Sequence, residues 1–199
     1  MKQKDIEILL SNLKTFEKPK IQLEQYQIPS RLAAMITWRA LQLGDLKEKV
    51  VADYCCGTGM FSIAAQALGA KRTYGIDIDL DALNIAKANA KKAGENIIWV
   101  QEDIREVNMR FNTIFMNSPF GIQSGTKDRE FLSAALEHSD VCYSVHLSLP
   151  QNIKFLTKII EKQEKKLTET IEAEFEIPKT YYFHKKRYHI IVVAILRSA

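Results

Sequence analysis

Val50-Val51-Ala52-Asp53-Tyr54-Cys55-Cys56-Gly57-Thr58-Gly59 is a short apolar run that ends in a glycine turn and passes at once into the helical pattern Phe61–Leu68. An apolar run of this length bounded by a turn reads as a buried strand. Glycines at such a turn let the backbone pass close to a ligand with no Cβ in the way. Strand, glycine turn and helix in that order open an α/β sheet whose ligand lies at the strand ends.

Working outward toward the C-terminus, β-type and helical runs alternate. Lys49–Cys55 is followed by Phe61–Leu68, Arg72–Ile76 by Leu80–Ala93, and Ile97–Val100 stands between; Asn112–Met116 is followed by Glu130–Glu137, and then comes Val141–His146. This alternation predicts a mostly parallel sheet with helices on both faces. Asn152–Lys166 reads as helix, and Thr170–Ile177 and Tyr188–Leu196, joined through Pro178, predict a C-terminal antiparallel hairpin on the sheet edge, seven strands in all.

Toward the N-terminus, Ile6, Leu9, Leu10, Leu13 and Phe16 are spaced as in an amphipathic helix over residues 4–16, which Pro19 ends. Leu32, Ala33, Met35, Ile36, Ala40 and Leu41 predict a second helix after Pro29. The 199 residues therefore divide into an N-terminal helical extension, 1–45, and one compact unit, 46–199. No apolar run is long enough for a membrane span, no secretion signal opens the chain, and the three cysteines, Cys55, Cys56 and Cys142, have neither disulfide nor zinc spacing, so a reducing, cytoplasmic setting is expected. A net charge of +4 gives weak support to a polyanionic partner.

Two further acidic positions extend the opening turn into a site. Asp77, 20 residues beyond Gly57 at the end of the second strand, is placed to accept both ribose hydroxyls of a nucleoside cofactor. Asp103, after the third strand, is placed to accept from an adenine amino group while Ile104 packs on the ring. Each feature alone is usually a turn or a helix cap; at three successive strand ends they outline an adenosine-shaped cleft. Ser62 stands where a dinucleotide fingerprint has its third glycine, so the loop by itself leaves nicotinamide and sulfonium cofactors both open.

Asn117-Ser118-Pro119-Phe120 follows the fourth strand, which in a doubly wound sheet lies beside the first and faces the cleft. An aromatic amino nitrogen is a poor nucleophile because its lone pair is delocalised. The Asn117 side-chain oxygen and the Ser118 carbonyl can accept its two hydrogens and turn the lone pair toward a methyl donor, while Phe120 stacks on the base. A plain turn with a buried Phe120 is the alternative.

On these residues the chain resembles the archaeal form of the methyltransferase-like family that makes N6-methyladenosine in small-subunit ribosomal RNA. The match runs nearly end to end and includes Leu23-Glu24-Gln25-Tyr26 and Phe183-His184-Lys185-Lys186. The resemblance implies a Rossmann-like class I fold and S-adenosyl-L-methionine as cofactor. It implies that Gln25 and Tyr26 help close a donor site lined by Asp53, Gly57, Thr58, Gly59, Asp77, Asp103 and Ile104. Asn117, Ser118, Pro119 and Phe120 would then form the acceptor pocket, and His184, Lys185, Lys186 and Arg187 would contact structured RNA.

Two departures bear on this. Ser118 stands where the family has its first proline, and Cys55 where a glycine is common. The family's eukaryotic members work with a small zinc-binding activator protein on the sheet edge near the third strand, and here Ile97-Ile98-Trp99-Val100 is an apolar run such a partner would cover. Other acceptors, guanine N2, cytosine N4 or a protein glutamine, stay open, as do a nicotinamide-dependent oxidoreductase and a non-catalytic RNA-binding scaffold. Lys127, Asp128 and Arg129 after a Gly-Ser-rich stretch suggest a loop that closes over a flipped base, and His138 and His146 lack metal-ligand spacing.

Overall fold

Seven strands form one sheet in the order β3-β2-β1-β4-β5-β7-β6 in the computed structural model, which describes residues 1–119, 127–178 and 188–199. The strands are β1 (Val50–Tyr54), β2 (Arg72–Asp77), β3 (Ile98–Gln101), β4 (Phe111–Met116), β5 (Ser139–Leu147), β6 (Leu167–Pro178) and β7 (Tyr188–Ser198). The helices are α1 (Gln3–Ser11), α2 (Ser30–Gln42), α3 (Met60–Ala67), α4 (Leu80–Ala93), α5 (Lys127–Glu137) and α6 (Pro150–Lys162), with a 3-10 turn at Ile21–Leu23.

β1 to β5 are parallel, and β7 runs antiparallel to both β5 and β6, which gives the expected terminal pair with β6 outermost. The chain order reverses between β1 and β4. Asp53 there pairs with Gly75 of β2 on one side and Phe115 of β4 on the other, so the glycine turn and the Asn117 loop leave neighbouring strands at the same end of the sheet.

Alternation along the strands divides the core between two faces. On one, Phe61 of α3 stacks on Phe115, and Phe115 on Tyr143, each pair with ring centroids 5.3 Å apart, under Ile6, Leu10, Leu32 and Ile36 of α1 and α2. On the other, Leu132, Leu136, Leu156 and Ile160 of α5 and α6 cover Ile114, Met116, Cys142 and Leu196. Each such side chain contributes about 1.5–3 kcal/mol of burial. Polar ties join the first 45 residues to the sheet as well. Arg39 donates bidentately to Glu169 of β6, and buried Asp45 accepts from Tyr143 and from Arg197 at 2.8 and 3.0 Å.

The first helix is shorter than its apolar spacing predicts. Ser11 Oγ and Asn12 Nδ2 each donate to the Ile8 carbonyl at 2.8 Å and end it. Beyond, the Lys14 backbone exchanges two hydrogen bonds with the side chain of Asn89 in α4, which pulls residues 13–16 out of helical register and leaves Phe16 against Gly57.

Candidate active site

The ends of β1, β2, β3 and β4 and the segment after α1 enclose a cleft of about 1100 Å³, counted out to its open mouth. Of the residues expected there, Gln25, Tyr26, Asp53, Gly57, Thr58, Asp77, Asp103, Ile104, Asn117 and Pro119 line it. Gly59 and Ser118 do not line the wall; they stand behind it, Gly59 as the left-handed entry to α3 and Ser118 buried at the end of β4. Phe120 and His184–Arg187 lie outside the described residues, and so does most of the stretch read as a closing loop.

The glycine turn is wound through left-handed backbone. Cys55, Gly57 and Gly59 have φ of 56°, 52° and 86°. Cys55 thus occupies the conformation for which a glycine is the default residue. A Cβ on Gly59 would also come within 2.7 Å of the Trp99 ring, and one on Gly75 within 2.2 Å, so the indole of β3 is seated on two bare backbones.

Each acidic residue is held in a different way. Asp53 Oδ2 accepts from the Ser62 amide and hydroxyl, at 2.8 and 2.7 Å, which ties β1 to the start of α3. Burial pushes its carboxyl up to about 7 against those two bonds, and Asp77 adds to the rise. Asp77 Oδ2 accepts from the Gly57 amide and its Oδ1 from the Asp79 amide; burial raises it too. One bond per oxygen leaves acceptor capacity for two hydroxyls, which is what a ribose requires. Exposed Ile78 and buried Ile104 supply apolar walls for an adenine beside it.

Asp103 is gripped by Arg105, whose Nε and backbone amide donate to Oδ1 and whose Nη2 donates to Oδ2 at 2.6 Å. Arg105 also donates to Glu130 and lies 5.7 Å from the Phe131 ring centroid, so it joins the third strand end to α5. Asp103, then Glu130, raise its guanidinium well above the ordinary range.

The segment ahead of α2 forms the outer wall and is clasped at several points. Gln25 donates to Asp79 Oδ2 at 2.7 Å and accepts from the Lys20 amide, and Lys20 Nζ donates to Asp79 and Asp81. Burial alone would lift Asp79, but Lys20, Gln25 and the Asp81 amide hold it below the usual carboxylate range. Thr58 Oγ1 donates to Gln27, and Asn89 donates to the Thr58 carbonyl. Phe16, Lys20, Gln27, Asn89, Arg105 and Phe131 were not foreseen as site residues. Asn89 alone carried a signal, a polar residue on the apolar stripe of α4.

At the acceptor end, Asn117 Oδ1 is buried in the cleft wall and accepts no hydrogen bond, and the Ser118 hydroxyl is likewise buried without a partner. Buried acceptors are normally paired, so an orphan oxygen on a residue that lines the cleft is one that a ligand's donor would satisfy. The remaining polar residues near the sheet are placed as follows. Tyr54 and His138 share a hydrogen bond of 3.0 Å, burial raises the thiols of Cys55 and Cys56, and no metal-binding cluster occurs among the described residues.

Sheet order, glycine turn and three acidic strand ends together define a class I S-adenosylmethionine-dependent methyltransferase, with Asp77, Asp103, Ile104 and the Gly57 turn as residues that fit the cofactor. The family profile of ribosomal protein L11 methyltransferase (PrmA) matches residues 34–118. The chain is 40% identical to the Methanocaldococcus jannaschii protein MJ0284 over 99% of this chain and 94% of that one. It is 33% identical to the rRNA N(6)-adenosine-methyltransferase METTL5 of Danio rerio, over 99% and 98%. The crystal structure of PH1948 from Pyrococcus horikoshii superposes with a TM-score of 0.94 at 37% identity, over 100% of this chain and 98% of that one. The chain belongs to the METTL5 family and is an S-adenosylmethionine-dependent RNA methyltransferase. No helix among the described residues is long and apolar enough to cross a membrane.

Proposed function

We propose that the protein methylates N6 of an adenosine in small-subunit ribosomal RNA. The observation that carries this reading is the buried, unpaired Oδ1 of Asn117 beside Pro119 on the same cleft as the Asp77 turn. The name of the zebrafish relative supports the base and the RNA.

Asn117 Oδ1 accepts one amino hydrogen and the Ser118 carbonyl the other, which turns the nitrogen lone pair toward the donor side of the cleft; Phe120 stacks on the base. Bound S-adenosylmethionine supplies an electrophilic methyl on a sulfonium. The nitrogen–carbon bond forms as the carbon–sulfur bond breaks, and one amino proton leaves to solvent. No strong base is required, because the sulfonium already makes the methyl group electrophilic, and the carboxylates of Asp53, Asp77 and Asp103 are committed to hydrogen bonds. Pro119 keeps Ser118 extended in place of the family's first proline.

In this reading residues 1–45 act as an extension that closes the donor side through Gln25 and Tyr26, and 46–199 as the catalytic unit. His184–Arg187 contact RNA phosphates. The setting is the cytoplasm, where a ribosomal subunit is met. A small zinc-binding activator protein adds a strand to the open edge of β3, where Ile98 is exposed.

Radiolabelled methyl transfer to small-subunit ribosomal RNA, followed by digestion and mass spectrometry of the nucleosides, tests the reading. N6-methyladenosine is expected. Asn117→Ala is expected to keep its affinity for S-adenosylmethionine and to lose at least about a hundredfold in kcat, the scale of a lost positioning acceptor. Another methylated nucleoside, or an Asn117→Ala variant of full activity, would overturn it.

A further inference from the structure

Outside the cleft, α6 carries an arrangement that its own stability does not explain. Lys154, Lys158 and Lys162 are exposed at i, i+4 and i+8, so they form one row along the helix, opposite the face on which Leu156, Ile159 and Ile160 are buried. Like charges four residues apart repel; Lys162, in the last turn, is the one of the three that the macrodipole favours. No acidic residue stands in the first turn of α6 to offset the repulsion, and among the described residues none of the three lysines forms an ion pair. Lys87 and Lys91 of α4, by contrast, sit toward a helix C-terminus, behind Asp79 and Asp81 at the N-terminus, which is the arrangement the dipole favours.

The place of α6 in the fold gives the row a direction. β5 lies beside β4 in parallel, and α6 begins at Pro150, three residues after β5 ends, at the same end of the sheet from which the Asn117 loop leaves β4. The Asn152 side chain donates to the Leu147 carbonyl and fixes the helix entrance to that end of the sheet. α6 also packs on α5, the helix that follows the acceptor loop. Successive lysines of the row are about 6 Å apart along the axis, from four residues at 1.5 Å each, which is a stride suited to consecutive backbone phosphates. Phe155, 49% exposed, stands next in sequence to Lys154 and offers a stacking surface at the flank of the row.

We infer that the exposed face of α6 is an RNA-binding surface: Lys154, Lys158 and Lys162 hold successive phosphates of the strand that flanks the target nucleotide, and Phe155 stacks on a base of that flank. The occupant is a nucleic acid rather than a protein because three exposed lysines outnumber the one carboxylate on this face, Glu161, and none of them forms an ion pair among the described residues. The inference rests on the RNA substrate proposed above and adds a site distinct from His184–Arg187.

The test compares K154E/K158E/K162E with an α4 control, K87E/K91E, the losses being judged per substituted lysine, in the full-length protein. All five positions are exposed, so folding is preserved, and affinity for S-adenosylmethionine is read in parallel to show it. For the α6 variant, kcat/KM with small-subunit ribosomal RNA is expected to fall at least tenfold with unchanged cofactor affinity, and the slope of log K against log salt for a single-stranded RNA to shrink by about two, at roughly 0.7 per phosphate contact. Phe155→Ala is expected to weaken RNA binding and leave the slope alone. Equal losses in the α4 control would show a diffuse charge effect and overturn the assignment, as would an α6 variant with unaltered affinity and slope. If the unaltered protein binds and methylates no RNA, the substrate reading falls, and this surface with it.

Discussion

Asp53 shows how much of the site was legible at the scale of single residues. Its position after a buried strand marked it as part of the donor site, but the sequence does not reveal that its carboxylate is turned onto Ser62 and buried enough to titrate at about 7. The unfolded chain gives up that proton near 4, whereas the native group keeps it until about 7. Its contribution to stability is therefore full below about 4 and is lost as pH rises through 7. Binding of a ligand that carries sulfonium and ammonium charges favours the ionised form. Affinity for S-adenosylmethionine is accordingly expected to rise roughly tenfold between pH 6 and 8 and then level off, one pH unit below the native value being worth a factor of ten. Calorimetry at three pH values checks this, with Asp53→Asn flattening the profile and uncharged methylthioadenosine showing no rise. A flat profile for the unaltered protein would remove Asp53 from the cofactor's charge field. Phe16 and Asn89 escaped the sequence reading for a common reason. Their partners are distant in the chain, Asn89 bonding Lys14 across 75 residues, and no local period encodes such a meeting.

At the scale of elements the strands were read correctly and the helix ends less well. The central strands β1, β4 and β5 are largely buried runs bounded by turns, and alternation with helices sufficed to place them and their neighbours; α1 ended early because side-chain bonds and Asn89 outbid helical spacing. β3 is the element with most left to explain. Trp99 is locked by Gly59 and Gly75, while Ile98, its neighbour on the four-residue strand, is 41% exposed at an unpaired sheet edge. Such an edge is covered or charged in most proteins. Co-expressed with a small zinc-binding protein of the activator type, the chain is expected to elute as a one-to-one complex and to gain about 4 °C or more in Tm, the shift that 1–2 kcal/mol produces in a domain of this size. Ile98→Lys, which keeps the fold because its side chain is outside the core, is expected to abolish both. A complex that survives this substitution would place the partner elsewhere.

Over the whole molecule, the residues proposed for the donor and for the acceptor fall on opposite sides of the β1/β4 reversal. Asp77 and Asp103 belong to the β1-β2-β3 half, whereas Asn117 leaves β4 and α5 follows it. This division was predictable, because a doubly wound order places the first and fourth strands together. How the halves are joined was not, and Arg105 is one answer: it holds both oxygens of Asp103 while donating to Glu130 of α5 and covering Phe131. The guanidinium is 47% exposed, so its ion pairs add little to folding. In the proposed reading its effect belongs to ligand binding, since it fixes the carboxylate expected to meet the adenine and ties it to α5. Arg105→Gln is therefore expected to leave Tm within about 2 °C, to weaken S-adenosylmethionine three- to tenfold, the range of a bidentate pair at the surface, and to lower kcat/KM for RNA beyond that factor even at saturating cofactor. Arg105→Lys restores charge without the fork and should recover little of the cofactor affinity. Loss of cofactor affinity with an unchanged RNA parameter would confine Arg105 to the adenine pocket; loss of neither would show that Asp103 holds its position unaided.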